Sequence, residues 1–157
     1  MMRLAVLALA LIAATPSSAR ADATAFLGRN SADNDRSFTR GFAFGVSLLV
    51  VGFEFEYANS SEDVAEARPS LRTTSGNVVV QTFGMPIQLY GTTGGGVYRE
   101  RLGNDEETAA LINFGGGVKI PVAGPIRARV DYRVFNLKGH PRQSTVHRIY
   151  AGLNLSF

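Results

Sequence analysis

The last eleven residues, His147-Arg148-Ile149-Tyr150-Ala151-Gly152-Leu153-Asn154-Leu155-Ser156-Phe157, alternate with a period of two. Ile149, Ala151, Leu153, Leu155 and Phe157 are apolar, and the residues between them are small, polar or amphipathic. Side chains of a strand point to opposite faces in turn, so this segment has one greasy face and one polar face. It also ends on an aromatic residue. That arrangement suits a strand that closes a barrel in lipid, with one face toward the hydrocarbon and the other toward a polar interior.

The opposite end points to the same compartment. Met1 to Arg3 is a short basic start, an apolar run of 11 residues follows from Leu4 to Ala14, and Ala19-Arg20-Ala21 is an A-x-A cleavage signal. The run is shorter than the roughly 20 residues of a spanning helix. Residues 1–21 therefore read as a secretory signal and 22–157 as the mature domain, beginning at Asp22. Its removal takes away Arg3 and Arg20 and no acid, leaving 14 basic and 13 acidic side chains in 136 residues. A nearly neutral chain lacks the concentrated basic patch that nucleic-acid binding needs. With no cysteine there is neither a disulfide framework nor a thiolate metal site. No later apolar run approaches 18 residues, so a membrane-embedded mature chain must be a closed barrel, the other structure that satisfies all backbone polar groups in lipid.

Working back from the terminal strand, Ile126-Arg127-Ala128-Arg129-Val130-Asp131-Tyr132-Arg133-Val134 has apolar or aromatic residues at even positions and ions at every odd one. Val51, Phe53, Phe55 and Tyr57 alternate with Gly52, Glu54 and Glu56. Phe42, Phe44 and Val46 alternate with Gly41, Ala43 and Gly45. The apolar parity switches between these last two strands, so a turn is expected within residues 47–50 although no Gly, Pro or Asn marks it. Further strands are expected near residues 23–28, 75–82, 87–100 and 108–120. Eight strands in this length suit transmembrane strands of about 9–11 residues with short links. Polar links at residues 29–37, 59–74, 101–107 and 136–145 alternate with brief ones near 48, 83–86 and 121–125. This is the pattern of outward loops and tight periplasmic turns, and an even strand number places both ends in the periplasm.

With these segments the chain resembles the small bacterial outer-membrane proteins with an eight-stranded OmpA/OmpX-type barrel. The resemblance rests on the signal peptide, Gly115-Gly116-Gly117-Val118-Lys119, Val130-Asp131-Tyr132-Arg133 and the terminal Tyr150 to Phe157. It implies an all-β, eight-stranded antiparallel transmembrane up-and-down barrel in the Gram-negative outer membrane. It implies Phe157, with Leu155 and Leu153, as the signal read by the barrel-assembly machinery. It implies outer-membrane lipid and lipopolysaccharide as surroundings. No periplasmic peptidoglycan-binding domain of the kind in full-length OmpA is expected, so the resemblance does not imply a cell-wall tether.

The expected interior holds one charged constellation. Glu54 and Glu56 on the third strand, and Arg127, Arg129, Asp131 and Arg133 on the seventh, should face each other across the lumen, since strands four apart in a ring of eight lie opposite. A cross-barrel network of arginine–carboxylate pairs is the result, filling an interior just wide enough for side chains. Gly94-Gly95-Gly96 and Gly115-Gly116-Gly117 should lie side by side in the hairpin centred near Asp105, making lumen room or easing curvature.

Catalysis finds little support. The arginines beside the carboxylates favour the ionised form, which is unhelpful to a general acid. His140 and His147 fall near the last outward loop. Some related barrels deacylate lipid A with a His/Ser pair, but Ser144 and His147 have no acid nearby in sequence and lack the expected spacing. Two histidines do not make a metal site. The expected protein is thus a monomer without catalytic residues, metal or cofactor, with a plugged lumen and a structural or surface-interaction role. Transport of small or apolar solutes is the alternative, and lipid modification the second.

Overall fold

The computed structural model describes residues 19–32, 35–63, 65 and 67–157. Eight antiparallel strands run β1 (Ala19–Ala32), β2 (Asp35–Leu48), β3 (Val51–Ser60), β4 (Ser70–Gln81), β5 (Gln88–Leu102), β6 (Asp105–Ala123), β7 (Ile126–Leu137) and β8 (Thr145–Ser156). Each pairs with its chain neighbours, and β8 pairs with β1 to close the ring. Beside that seam, the Ala21 and Phe157 backbones exchange two hydrogen bonds of 2.9 Å. No helix among the described residues is long and apolar enough to cross a membrane.

Alternation explains why a ring forms. Phe42, Phe44 and Val46 on β2, Phe53 and Phe55 on β3, Val78 and Val80 on β4, and Ile149, Leu153 and Leu155 on β8 are all exposed on the outer wall. Phe53 is 70% exposed and Leu153 63%. A continuous wall of this kind is an insoluble surface in water and the expected one in hydrocarbon, and ring closure leaves no unpaired strand edge. The barrel is a transmembrane one. Directly opposed residues, followed from Ala21 through Val46, Phe53, Val78, Thr93, Phe114, Val134 and His147, return to β1 at Ser31, ten residues further along. Rows of opposed residues therefore climb steadily toward the outer end, the stagger that accompanies strand tilt in a closed barrel.

The parity switch between β2 and β3 falls at Leu49-Val50, a two-residue turn. Leu49 holds φ at 55° there, in the left-handed region that a leucine avoids. Leu49→Gly should therefore raise stability by about 1 kcal/mol, read as a higher urea midpoint in detergent by circular dichroism. An unchanged midpoint would mean that the strain relieved does not exceed the freedom glycine adds to the unfolded chain.

Residues 1–18 of the expected signal peptide lie outside the described residues; Ala19, Arg20 and Ala21 lie on β1 opposite Leu48, Ser47 and Val46. Two expectations about the strands need correction. The polar stretches 29–37 and 101–107 are mostly strand rather than loop, because β1–β2 and β5–β6 keep pairing beyond the apolar wall. The β5–β6 turn is Gly103-Asn104, with Gly103 at φ 61°, not a loop centred on Asp105. That shift moves the register by four residues. Gly116 lies opposite Gly91, and Gly95 lies opposite Ile112, so the two glycine triplets are offset rather than side by side.

Candidate functional site: a sealed lumen beneath an outer mouth

The inward positions are those between the lipid-facing ones, so the sequence pattern that builds the wall also loads the lumen. Glu54 and Glu56 on β3 and Arg129, Asp131 and Arg133 on β7 all point inward, and each is at most 5% exposed. Arg129 donates from Nη1 to Glu54 Oε2 at 2.5 Å, and Arg133 donates from Nη2 to Glu54 Oε1 at 2.6 Å. Arg133 Nη1 also lies 3.2 Å from Glu56 Oε2. Asp131 accepts from Arg133 Nε at 2.9 Å, from Arg129 Nη2 at 3.1 Å and from the Tyr90 hydroxyl. Tyr90 in turn accepts from Arg129 Nε at 2.7 Å. Strands four apart thus meet across the lumen, as ring topology requires.

Arg127 stands apart from this cluster. It sits two residues nearer the inner end and donates to Gln88 Oε1 at 2.9 Å, with no carboxylate partner among the described residues. Nearby, Lys119 Nζ donates to Asp22 Oδ2 at 2.6 Å. The strand alternation that put Arg127 on the right face could not place it at the right height.

One central member is absent from the sequence-derived set. Arg148 on β8 is fully buried and reaches Glu56 Oε1 at 3.0 Å, Asn30 Oδ1 at 2.8 Å and Thr73 Oγ1 at 3.0 Å. Its guanidinium also lies over the Phe135 ring, 4.3 Å from the centroid. The signal was present, since Arg148 shares its parity with Tyr150, Gly152 and Asn154 on the polar face of the terminal strand. With Arg148 counted, three guanidiniums meet three carboxylates, and the cluster is neutral. Neutrality and near-complete hydrogen bonding are what let ions persist away from water.

Toward the outer end the filling becomes apolar. Ala32, Leu71, Tyr98, Leu111, Phe135, Leu137 and Val146 pack together above the ions. Phe26 on β1 stacks on Tyr150 of β8 with centroids 4.0 Å apart. The inward glycines on β6 make part of the room needed: a Cβ on Gly115 would stand 2.9 Å from Arg133 Cγ, and one on Gly117 2.5 Å from the Tyr90 hydroxyl. Above the apolar layer a cavity of about 160 Å³ opens at the mouth, with Leu71, Leu137 and Val146 at its floor and Asp35, Glu100 and Arg142 among its walls. Burial holds the Glu100 carboxyl above the usual carboxylate range, against the lowering effect of the Arg142 backbone N–H and guanidinium.

The remaining candidates do not assemble. His147 faces outward, and its Nδ1 lies 2.7 Å from the Tyr132 hydroxyl, with no hydrogen bond to Ser144 among the described residues. No group of three or more metal-ligating side chains comes together among the described residues. Leu153, Leu155 and Phe157 line the outer wall at the inner end of the seam, all exposed.

A closed eight-stranded antiparallel barrel with an apolar wall and an ion-filled lumen defines the fold class of the small outer-membrane barrels. Solved structures agree with that fold. Neisserial surface protein A matches with a TM-score of 0.71 at 15% identity, covering 90% of this chain and 98% of that one. A major outer membrane protein of Thermus thermophilus matches with a TM-score of 0.72 at 12% identity, covering 90% and 100%. Ail, the attachment invasion locus protein of Yersinia pestis, solved in complex with the heparin analogue sucrose octasulfate, matches with a TM-score of 0.58 at 12% identity, covering 88% and 98%. No family model and no curated protein matches the chain.

Proposed function

We propose that the protein is a sealed outer-membrane barrel whose role is structural or one of surface interaction, exercised by its outer end and lipid-facing wall rather than by passage through its lumen. The carrying observation is the filling of the lumen. Arg129, Arg133, Arg148, Tyr98, Tyr150, Phe135, Leu111 and Glu56 are each less than 2% exposed, so side chains fill the interior at mid-height. Ail, a fold neighbour with an attachment name and a bound heparin analogue, supports surface recognition as a use of such a barrel. Fold alone does not assign activity, so the weight rests on the filled interior.

Planar-bilayer recording tests it. Purified protein reconstituted in a planar bilayer should give no steady single-channel conductance at either polarity. A reproducible conductance step in the wild-type protein would replace this reading with solute transport.

A further inference from the structure

The outer wall carries an arginine stripe that the sealed lumen does not explain. Arg40 on β2 lies opposite Asn59 on β3, Asn59 opposite Arg72 on β4, and Arg72 opposite Arg99 on β5. Arg29 on β1 stands diagonally beside Arg40, opposite Phe38. All four arginines are exposed and point outward. Two residues toward the inner end on the same strands come the lipid-facing Leu27, Phe42, Tyr57, Thr74 and Val97. The stripe thus lies at the outer margin of the apolar wall, with the exposed Phe38 two residues beyond Arg40. On β6, β7 and β8 the corresponding outward residues are Thr108, Asn136 and His147, with the exposed Lys138 two residues beyond Asn136, so the arginines are concentrated on the β1–β5 side of the barrel.

Arg99 pairs with Glu106 at 3.3 Å. Arg29, Arg40 and Arg72 have no side-chain partner among the described residues, and Arg72 directly faces the like-charged Arg99. Like charges placed opposite each other in a sheet are unfavourable unless an anion lies between them. Arg40 and Arg72 are two strands apart, about 10 Å at the backbone, close enough for two guanidiniums to converge on one phosphate.

A second feature lies directly below. Ala25 and Ala151 are small residues on the outer wall, set among Leu27, Phe42, Tyr57 and Leu153, and they leave an apolar groove with Arg40 and Asn59 at its outer margin. Ala25 lies opposite Phe42 on one side and Leu153 on the other. Phe42 stacks on Tyr57 at 5.3 Å to stiffen one wall. A groove for a chain, headed by unpaired cations, matches a molecule with both an acyl tail and a phosphate.

We propose that this face is a binding site for a phosphorylated glycolipid of the outer leaflet, the lipid A portion of lipopolysaccharide. Arg29, Arg40 and Arg72 hold its phosphates, and one acyl chain lies in the Ala25–Ala151 groove. The site is independent of whether the lumen conducts.

Native mass spectrometry of the full barrel released from phosphatidylcholine nanodiscs tests it, with bisphosphorylated lipid A or the same lipid stripped of phosphate. One bisphosphorylated lipid per barrel should be retained. Its affinity should fall about ten-fold with each phosphate-binding guanidinium removed, in Arg40→Gln and in Arg72→Gln, and Arg40→Lys should restore part of it. Ala25→Leu with Ala151→Leu should fill the groove and release the lipid with the arginines intact. Equal retention of the phosphate-free lipid by the wild type would overturn the site. So would indifference to the groove-filling pair, or a dimer peak in place of the lipid adduct, which would make the groove a contact between copies. Binding of soluble sucrose octasulfate that is unaffected by groove filling, with no lipid retained, would reduce the stripe to a polyanion patch and refute the lipid.

Discussion

Replacing Arg133 by methionine is expected to lower the unfolding free energy by roughly 3–5 kcal/mol, the cost of leaving a buried charge uncompensated. Arg133 is the cation shared by all three central carboxylates: it meets Glu54 at 2.6 Å, Asp131 at 2.9 Å and Glu56 at 3.2 Å. Its loss leaves three carboxylates against Arg129 and Arg148. The excess negative charge has no route to water, because Glu56 and Asp131 are each 1% exposed. The companion variant Arg133→Met with Asp131→Asn removes one charge of each sign, so its loss should be well below that of the single change. Both are read from urea unfolding in detergent by circular dichroism. A single variant as stable as the wild type would show that the ions do not act as a unit.

The second large effect is expected from Gly94→Val combined with Gly96→Val. Both glycines face the lumen opposite Asn77 and Ser75 of β4. A Cβ at Gly94 would stand 2.7 Å from Asn77 Cα, and one at Gly96 would stand 2.7 Å from Ser75 Cα. These neighbours are backbone, so neither can yield without opening the β4–β5 ladder. Overpacking typically costs about 1–3 kcal/mol per site, and two adjacent sites on one ladder should prevent closure. The double variant should lose the heat-modifiable gel mobility of a folded barrel. Gly91→Ala is the control: it faces outward, and its Cβ would meet nothing nearer than a carbonyl oxygen at 3.9 Å. Normal refolding of the valine variant would remove any packing role for these glycines.

The parts of this molecule that were legible in its sequence are those where the two faces of a strand meet different solvents. In β7, lipid on one side and ions on the other force Val130 and Tyr132 to alternate with Arg129, Asp131 and Arg133, and the strand reads plainly. Ring topology then supplies Glu54 and Glu56 as partners, because β3 must lie across from β7. Beyond the apolar wall both faces are wet, and the alternation disappears. For that reason the outer halves of β1, β2, β5 and β6 look like loop although their backbones remain paired. The Gly103-Asn104 turn, hidden in one such polar stretch, sets the β5–β6 register, and misplacing it misaligned both glycine triplets. Arg148 is obscured differently: it is the one ion on a polar face otherwise made of Tyr150, Gly152, Asn154 and Ser156, so charge alternation does not mark that strand. The arginine stripe was illegible for a further reason, since Arg40, Arg72 and Arg99 become neighbours only once three registers are known.

Arg148 has a consequence for how the barrel comes together. Its partners are Asn30 on the first strand, Glu56 on the third and Thr73 on the fourth. None of these interactions exists until the final strand has swung round to meet the first. Until then Glu56 has only Arg133 for a cation, and the centre of the lumen must stay hydrated. The last strand therefore acts as a keystone: inserting it zips the seam and expels the interior water in one step. A partly closed ring gains little, so assembly should be all-or-none.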